Sequence, residues 1–303
     1  LDIEVLGAIK NPSDKELEMV EEYANDRDEE GFKIWIQAEK GEEEKSGEDD
    51  DLKLKGLYYA FDYNPKSDNI HDYKYMQPHL SGTDNPYTDT KKYADMAKIN
   101  MEINQILLER FGEGIELTDE HLKNDKYGTL VGEDGRANVW YVLRFLDGFV
   151  VDTNIAEVRK LVFGETDPVC EVFSYSPSDD KDKAESERQA IGAWYYCIPK
   201  MHHGAFGRIV TTSGYAYGAA GLSGTTTTET SSSSANYYNA LNYYNYYNSY
   251  YNYYSPYYNY YDYNYYNYNY DYSAEDTTTT TTISTEILPY TPLVFTIYVE
   301  PYE

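Results

Sequence analysis

His202 and His203 stand side by side shortly after Cys197, and imidazole and thiolate are both zinc ligands. The same residue types could also form a nucleophile–base pair. Adjacent residues of an extended segment point to opposite sides, however, and no third or fourth ligand follows at metal-site spacing. The other cysteine, Cys170, could join Cys197 in one disulfide, but two buried, reduced thiols are the plainer reading. Carboxylates crowd residues 42–51 without the Asp-x-Asp-x-Asp-Gly order of a calcium loop. Gly214, Gly218, Gly221 and Gly224 precede no Lys-Ser/Thr pair and sit in no strand-turn-helix frame, so they read as a flexible lead rather than a phosphate cradle. The Gly-x-Ser-x-Gly elbow is absent. The sequence thus assigns no catalytic, cofactor-binding or metal-ligating residue, and no cofactor is expected.

Charge narrows the partners. The 303-residue chain has a formal net charge of −28, which repels phosphate backbones and anionic membranes. No Lys or Arg follows Arg208, so the C-terminal third cannot neutralise phosphates and is not expected to bind nucleic acid. No apolar run approaches the ~18 residues of a membrane span, so no membrane insertion is expected, and no secretory leader is read at the start.

The elements that would position these groups read as α+β. Residues 1–8 and 32–36 alternate as strands would, and 52–61 is a strand expected to pair with 32–36 across the acidic loop. Ser13 and Glu16 have capping-box spacing ahead of Leu17, Val20 and Tyr23, which predicts a short helix. Residues 62–86 form a long connection carrying the isolated His71 and His79. Tyr93, Met96, Ile99, Ile103, Ile106 and Leu107 recur at helical spacing over 89–111, with Gly112 as the stop. Asp134-Gly135 predicts a tight hairpin between 129–131 and 137–144, and Asp147-Gly148 a second turn before Phe149. A capped helix over 154–163 ending at Gly164, a strand over 169–175, a charged linker over 176–182, a helix beginning within 183–194 and a strand over 208–212 follow. The chain closes on a strand in which Leu293, Phe295, Ile297 and Val299 alternate with Val294, Thr296 and Tyr298.

Between the last two strands the composition changes. A Gly/Ala/Tyr stretch (214–224) leads into a hydroxyl run (225–234), a Tyr/Asn tract (236–272) and a second run of threonine (277–282). The hydroxyl runs would suit O-glycosylation in an exported protein. Of 38 tyrosines most of the surplus lies in the tract, where Asn236, Asn239, Asn242, Asn245 and Asn248 recur every third position. That period belongs to neither helix nor strand, but amide ladders and aromatic stacking both favour association. The tract resembles the prion-like low-complexity segments of RNA-granule proteins in composition, over 236–272 only and without Arg-Gly repeats. That resemblance implies a condensate scaffold.

A terminal strand this apolar needs a sheet to join. The expected fold is therefore α+β, mainly antiparallel sheet with a few packed helices: a body over 1–213, a long low-complexity insertion over 214–282 that projects outward, and a C-terminal strand within 283–303 that completes the body. The expected function is that of a structural, self-assembling protein, such as the subunit of a shell, virion coat or surface filament. Its partner is itself, and a virion or extracellular surface is the favoured setting. Tyr237, Tyr243, Tyr246, Tyr250, Tyr253, Tyr257, Tyr260 and Tyr265 are the candidate subunit contacts. The alternatives are the condensate scaffold and an enzyme whose acidic groups and His202 or His203 meet in a cleft.

Overall fold

The chain's last strand lies in the middle of its sheet. The computed structural model describes residues 10–25, 35–41, 52–61, 63–66, 90–114, 130–146, 148–165, 167–224, 226–229, 280–283 and 285–301. In chain order the described elements are α1 (Pro12–Tyr23), β1 (Ile36–Glu39), β2 (Lys53–Ala60), α2 (Thr90–Phe111), β3 (Ala137–Phe145), β4 (Val150–Thr153), α3 (Ala156–Phe163), β5 (Phe173–Tyr175), α4 (Pro177–Asp180), α5 (Gly192–Cys197), β6 (Phe206–Thr211), β7 (Thr226–Glu229), β8 (Thr280–Ile283) and β9 (Leu293–Val299). The main sheet has seven strands in the order β1-β2-β6-β9-β3-β4, with β5 also on β3. Every pairing in it is antiparallel. The α+β class and its antiparallel sheet stand as read from the sequence.

Both faces of the sheet are covered, and the strand sequences show why. Along β9 every residue is buried. Its odd-numbered side chains, Leu293, Phe295 and Ile297, pack with Leu57, Val139, Leu143 and Ile209 against Trp194, Cys197 and Ile198 from α5 and the 3-10 turn after it. Tyr298 points the other way, joining Trp140, Val142 and Phe206 under Ile103 and Leu107 of α2 and Val158, Val162 and Phe163 of α3. Val294 and Val210 meet Val20 and Tyr23 of α1, with Trp35 beside them. Fully burying each such side chain stabilises the fold by ~1.5–3 kcal/mol.

The helical face also holds charge. The Arg144 side chain on β3 is 1% exposed; its Nε donates to Asn100 Oδ1 (3.0 Å) and its Nη1 to Thr296 Oγ1 (2.7 Å). Asn100 Nδ2 in turn donates to the Gly148 carbonyl (3.1 Å). Helix α2, β3, β9 and the β3–β4 turn are thereby joined by one polar strut.

Several local readings give way to tertiary partners. Helix α1 starts at Pro12, with Asn11 as its N-cap and no side-chain capping bond. Glu16 does not reach back to cap it, because it is buried against Ser213. Helix α3 likewise lacks a side-chain cap. Asn154 instead completes the β3 edge, accepting from Tyr141 N (2.8 Å) and donating to Val139 O (2.9 Å). Asp134-Gly135 makes no hairpin with 129–131. Leu130 bridges to His202, Val131 N donates to Met201 O, and the turn folds so tightly that a Cβ on Gly135 would lie 1.8 Å from Val131 O. The strand expected over 169–175 is confined to β5, and Val169 is 92% exposed. The linker over 176–182 contains α4, and of the helix expected within 183–194 only a 3-10 turn at Glu185–Glu187 forms before α5 begins at Gly192. Asp180 is the reason: its buried carboxylate accepts from Gln189 N and Ala190 N and holds the intervening chain in a loop. Strand β1 begins at Ile36, while Phe32, Ile34, residues 1–8, 42–51 and 67–86 lie outside the described residues.

Candidate functional site

Neighbouring strands β6 and β9 are joined through residues 212–292, and the described part of that connection forms a built root. At its entrance Glu16, 4% exposed, accepts from Ser213 N and from Ser213 Oγ (2.9 Å). Burial raises the Glu16 pKa from its ordinary 4.5, and the two Ser213 bonds pull it back only in part. Residues 213–215 form a 3-10 turn, after which Gly218 N donates to Ser213 O and Gly221 N to Tyr217 O. Residues 214–224 are therefore folded onto the body rather than leading away from it, because Tyr215 and Tyr217 pack against the core. Leu222 and Ile287 then exchange both backbone bonds, at 2.7 and 2.9 Å. Beyond them the threonine runs pair as the β7–β8 ribbon, Thr226 opposite Ile283 and Glu229 opposite Thr280. β-Branched threonine suits a strand, which gives the hydroxyl runs a structural use that composition does not reveal. The candidate contacts Tyr237, Tyr243, Tyr246, Tyr250, Tyr253, Tyr257, Tyr260 and Tyr265 lie outside the described residues.

Two substitutions probe this root. Glu16→Ala leaves the buried Ser213 N–H without its acceptor and is expected to lower stability by ~1–3 kcal/mol, read by urea denaturation. The raised pKa means the folded state binds the proton more tightly than the unfolded chain. Stability from this group is therefore complete below pH 4.5 and is lost as pH rises through the raised value. Glu16→Gln is expected to flatten that part of the pH–stability curve. Gly221 has φ +65, and a Cβ there would lie 2.2 Å from Ile287 O. Gly221→Val is expected to break the Leu222–Ile287 pair, seen as faster exchange of those two amides while β3 and β9 stay protected.

The histidine–cysteine corner carries no reactive geometry. His202 and His203 are both buried. His202 stands edge-on to Phe61 (ring centroids 5.5 Å), and the His203 Nδ1 lies 2.9 Å from the Glu300 carbonyl. The Cys197 thiol is fully buried and pushed upward by desolvation; Cys170 is half-buried and also raised, chiefly by desolvation. Both remain free thiols held in the protonated form. Among the described residues no three His, Cys, Asp or Glu side chains come together as a metal site.

A denser polar cluster lies at β4 and α3. Arg159 binds Glu165 through Nε and Nη2 (2.8 and 2.6 Å) and Asp152 through Nη1 (2.9 Å). Asp152 also accepts from the Tyr141 hydroxyl at 2.6 Å. Burial, then the Asp152 charge, hold Tyr141 as a neutral phenol, and Tyr217 is pushed up to about 12 by the same two causes. Burial opposes the Arg159 charge, but Glu165 and Asp152 more than restore it. The cluster pairs its charges internally, which suits a strut between α3 and the sheet rather than an acid–base pair.

A cleft of ≈ 50 Å3 opens beside α5, lined by Tyr195, Tyr196, Pro177 and Pro199 together with two lysines, Lys181 and Lys200, and two carboxylates, Glu39 and Glu133. One water needs ~10–15 Å3, so the cleft admits the end of a side chain and not a dinucleotide. Sequence reading passed over it because its walls come from β1, the 130–136 turn, α4 and α5, and no local pattern joins these.

No known protein family matches the chain, and none of the curated proteins does. Among solved structures it is similar to a peptidyl-prolyl cis-trans isomerase from Pseudomonas syringae pv. tomato, at 18% identity over 72% of this chain and 97% of that one. The TM-score is 0.24, and so distant a likeness carries nothing over to this chain.

Proposed function

We propose that this protein is a structural, self-assembling subunit whose Tyr/Asn insertion makes the contacts between copies. The observation that supports the reading most is the root itself. Two adjacent central strands are linked through residues 212–292, and both ends of the link are fastened, by Glu16 to Ser213 and by Leu222 to Ile287. A connection between paired antiparallel strands needs only a few residues, so a link of this length on such an anchor serves something other than closing the sheet. The material carried on it is rich in tyrosine, which offers a large apolar ring and a hydroxyl at little entropic cost, and between 236 and 272 its only charged side chains are Asp262 and Asp271. No helix among the described residues is long and apolar enough to cross a membrane.

Electron microscopy of the purified full chain, with light scattering for mass, tests the reading. Regular filaments, rings or shells are the expected result. A monodisperse monomer at high concentration and physiological ionic strength, where self-repulsion of the −28 chain is screened, would refute it.

A further inference from the structure

We propose that the outer edge of β8 pairs with the same edge of a second copy across a two-fold axis, so that two ribbons join into one sheet at the base of the insertion. The inference rests on the assembly reading above and names a backbone surface on which copies meet. The ribbon continues the root without a slip: Leu222 lies opposite Ile287, and four residues further on Thr226 lies opposite Ile283. Leu222 and Ile287 exchange both backbone bonds, and exchanging pairs recur at every second residue of an antiparallel ladder. Thr226–Ile283 and Thr228–Thr281 are then the exchanging pairs of the ribbon. Thr280 and Thr282 turn their N–H and C=O away from β7, as Thr227 and Glu229 turn theirs away from β8. Among the described residues neither outer edge has a strand against it.

The main sheet shows what a guarded edge looks like in this protein. Strand β1 carries a bulge between Gln37 and Glu39 and is followed by the exposed Lys40. At the opposite side Arg159 Nη1 donates to the Thr153 carbonyl of β4 (3.0 Å) and Gln189 Nε2 to the Ser174 carbonyl of β5 (3.1 Å). Bulges, charge and cover of this kind keep an edge from pairing with another chain. Strand β8 has no such device: its register is unbroken, and residues 277–285 hold no charge and no proline. A ribbon of two strands is marginal in water and gains from a third. Charge selects both partner and edge. At −28 two copies repel each other overall, whereas two copies of 277–285 bring no charge together. Threonine opposite threonine is a favourable cross-strand pair, and a near-uniform strand is its own complement. Strand β7 ends in Glu229, whose charge at the outer edge stops the joined sheet from growing there. The register in which Thr280 and Thr282 exchange bonds with the partner's Thr282 and Thr280 places Thr281 opposite its own copy on the axis. Two exchanging pairs bind weakly alone; the tract supplies the remaining affinity and the ribbon sets the symmetry.

Cross-linking and sedimentation velocity on full-length chains test the proposal. Residues directly opposite in a non-exchanging pair have Cα atoms ~4.5 Å apart, within the span of a disulfide. Thr281→Cys, in a chain with Cys170→Ser, is therefore expected to form a disulfide-linked dimer on mild oxidation of assembled protein, and Thr228→Cys on β7 is expected to form none. Thr282→Pro removes an outward N–H and leaves the β7–β8 bonds in place, a setting in which an edge strand accepts proline. It is expected to raise the concentration needed for assembly about tenfold or more and to suppress the Thr281→Cys link, while the unfolding midpoint stays that of the wild type. If the wild type assembles, Thr281→Cys forms no link and Thr282→Pro assembles at the wild-type concentration, the ribbon pairing is overturned and the assembly reading survives. If Thr228→Cys links in place of Thr281→Cys, the copies meet through β7 and the proposal is overturned. A wild type that stays monomeric throughout removes both readings.

Discussion

A chain ended at Pro292 is expected to lose its cooperative unfolding transition altogether. Strand β9 pairs with β3 from Val139–Val299 to Phe145–Leu293, and with β6 from Phe206–Tyr298 to Thr211–Leu293. Removing it strips the backbone partners from both neighbours and splits the sheet into β1-β2-β6 and β3-β4-β5. It also removes Leu293, Phe295 and Ile297 from the α5 side and Val294 and Tyr298 from the other. At ~1.5–3 kcal/mol for each buried side chain, the loss matches or exceeds the ~5–15 kcal/mol of a whole domain. Arg144 would lose Thr296, leaving a buried guanidinium with fewer acceptors. Circular dichroism through a urea titration is the measurement, and a sloping, featureless curve is expected. Adding a peptide of residues 285–303 should restore a sigmoidal curve. A shortened chain that still unfolds cooperatively near the wild-type midpoint would show that the central strand is dispensable.

Replacing Tyr237, Tyr243, Tyr246, Tyr250, Tyr253, Tyr257, Tyr260 and Tyr265 by serine is expected to abolish assembly while the body keeps its stability. Buried interface tyrosines often contribute ~2 kcal/mol or more each when truncated. Losing only two such anchors weakens association ~10³-fold, and the eight replacements remove eight of the twenty tyrosines between 236 and 272. All eight lie outside the described residues, and the three core clusters are built from side chains of the body, so the unfolding midpoint is expected to stay within a few degrees of wild type. Light scattering against concentration reads the first effect and thermal unfolding the second. Assembly that persists unchanged would assign the contacts to the body and remove the tract from the account.

Local chemistry made part of the fold legible from residue order. Strand periodicity placed β2 and β9, and the apolar stripe through Ile99, Ile103 and Leu107 placed α2. Gly112 and Gly164 ended α2 and α3 where expected; both take left-handed φ, +72 and +67, a conformation glycine enters without steric cost. These features depend on neighbours within a turn or a pleat, so sequence alone determines them. The misread features depend on partners far away. Glu16 has capping-box spacing, yet it bonds Ser213, 197 residues on, because a buried backbone N–H leaves a carboxylate more to gain than an exposed helix end does. Asn154 finishes the edge of β3 rather than capping α3 for the same reason.

The candidate site divides along the same line. Its sticky material, the nearly uncharged Tyr/Asn run, is plain in the composition, since association tendency follows from residue type and low charge without any fold. Its root and its cleft are tertiary. Gly221 matters because Ile287 passes beside it, the threonine runs become a ribbon because each lies opposite the other, and Tyr195 and Tyr196 gain a cleft only when β1, α4 and the 130–136 turn close around them. Residue order by itself determined β2, β9 and α2, the glycine stops of α2 and α3, and the character of the insertion. The tertiary structure alone decided that the last strand is central and where the insertion is anchored, because pairing and burial join residues that no local pattern connects.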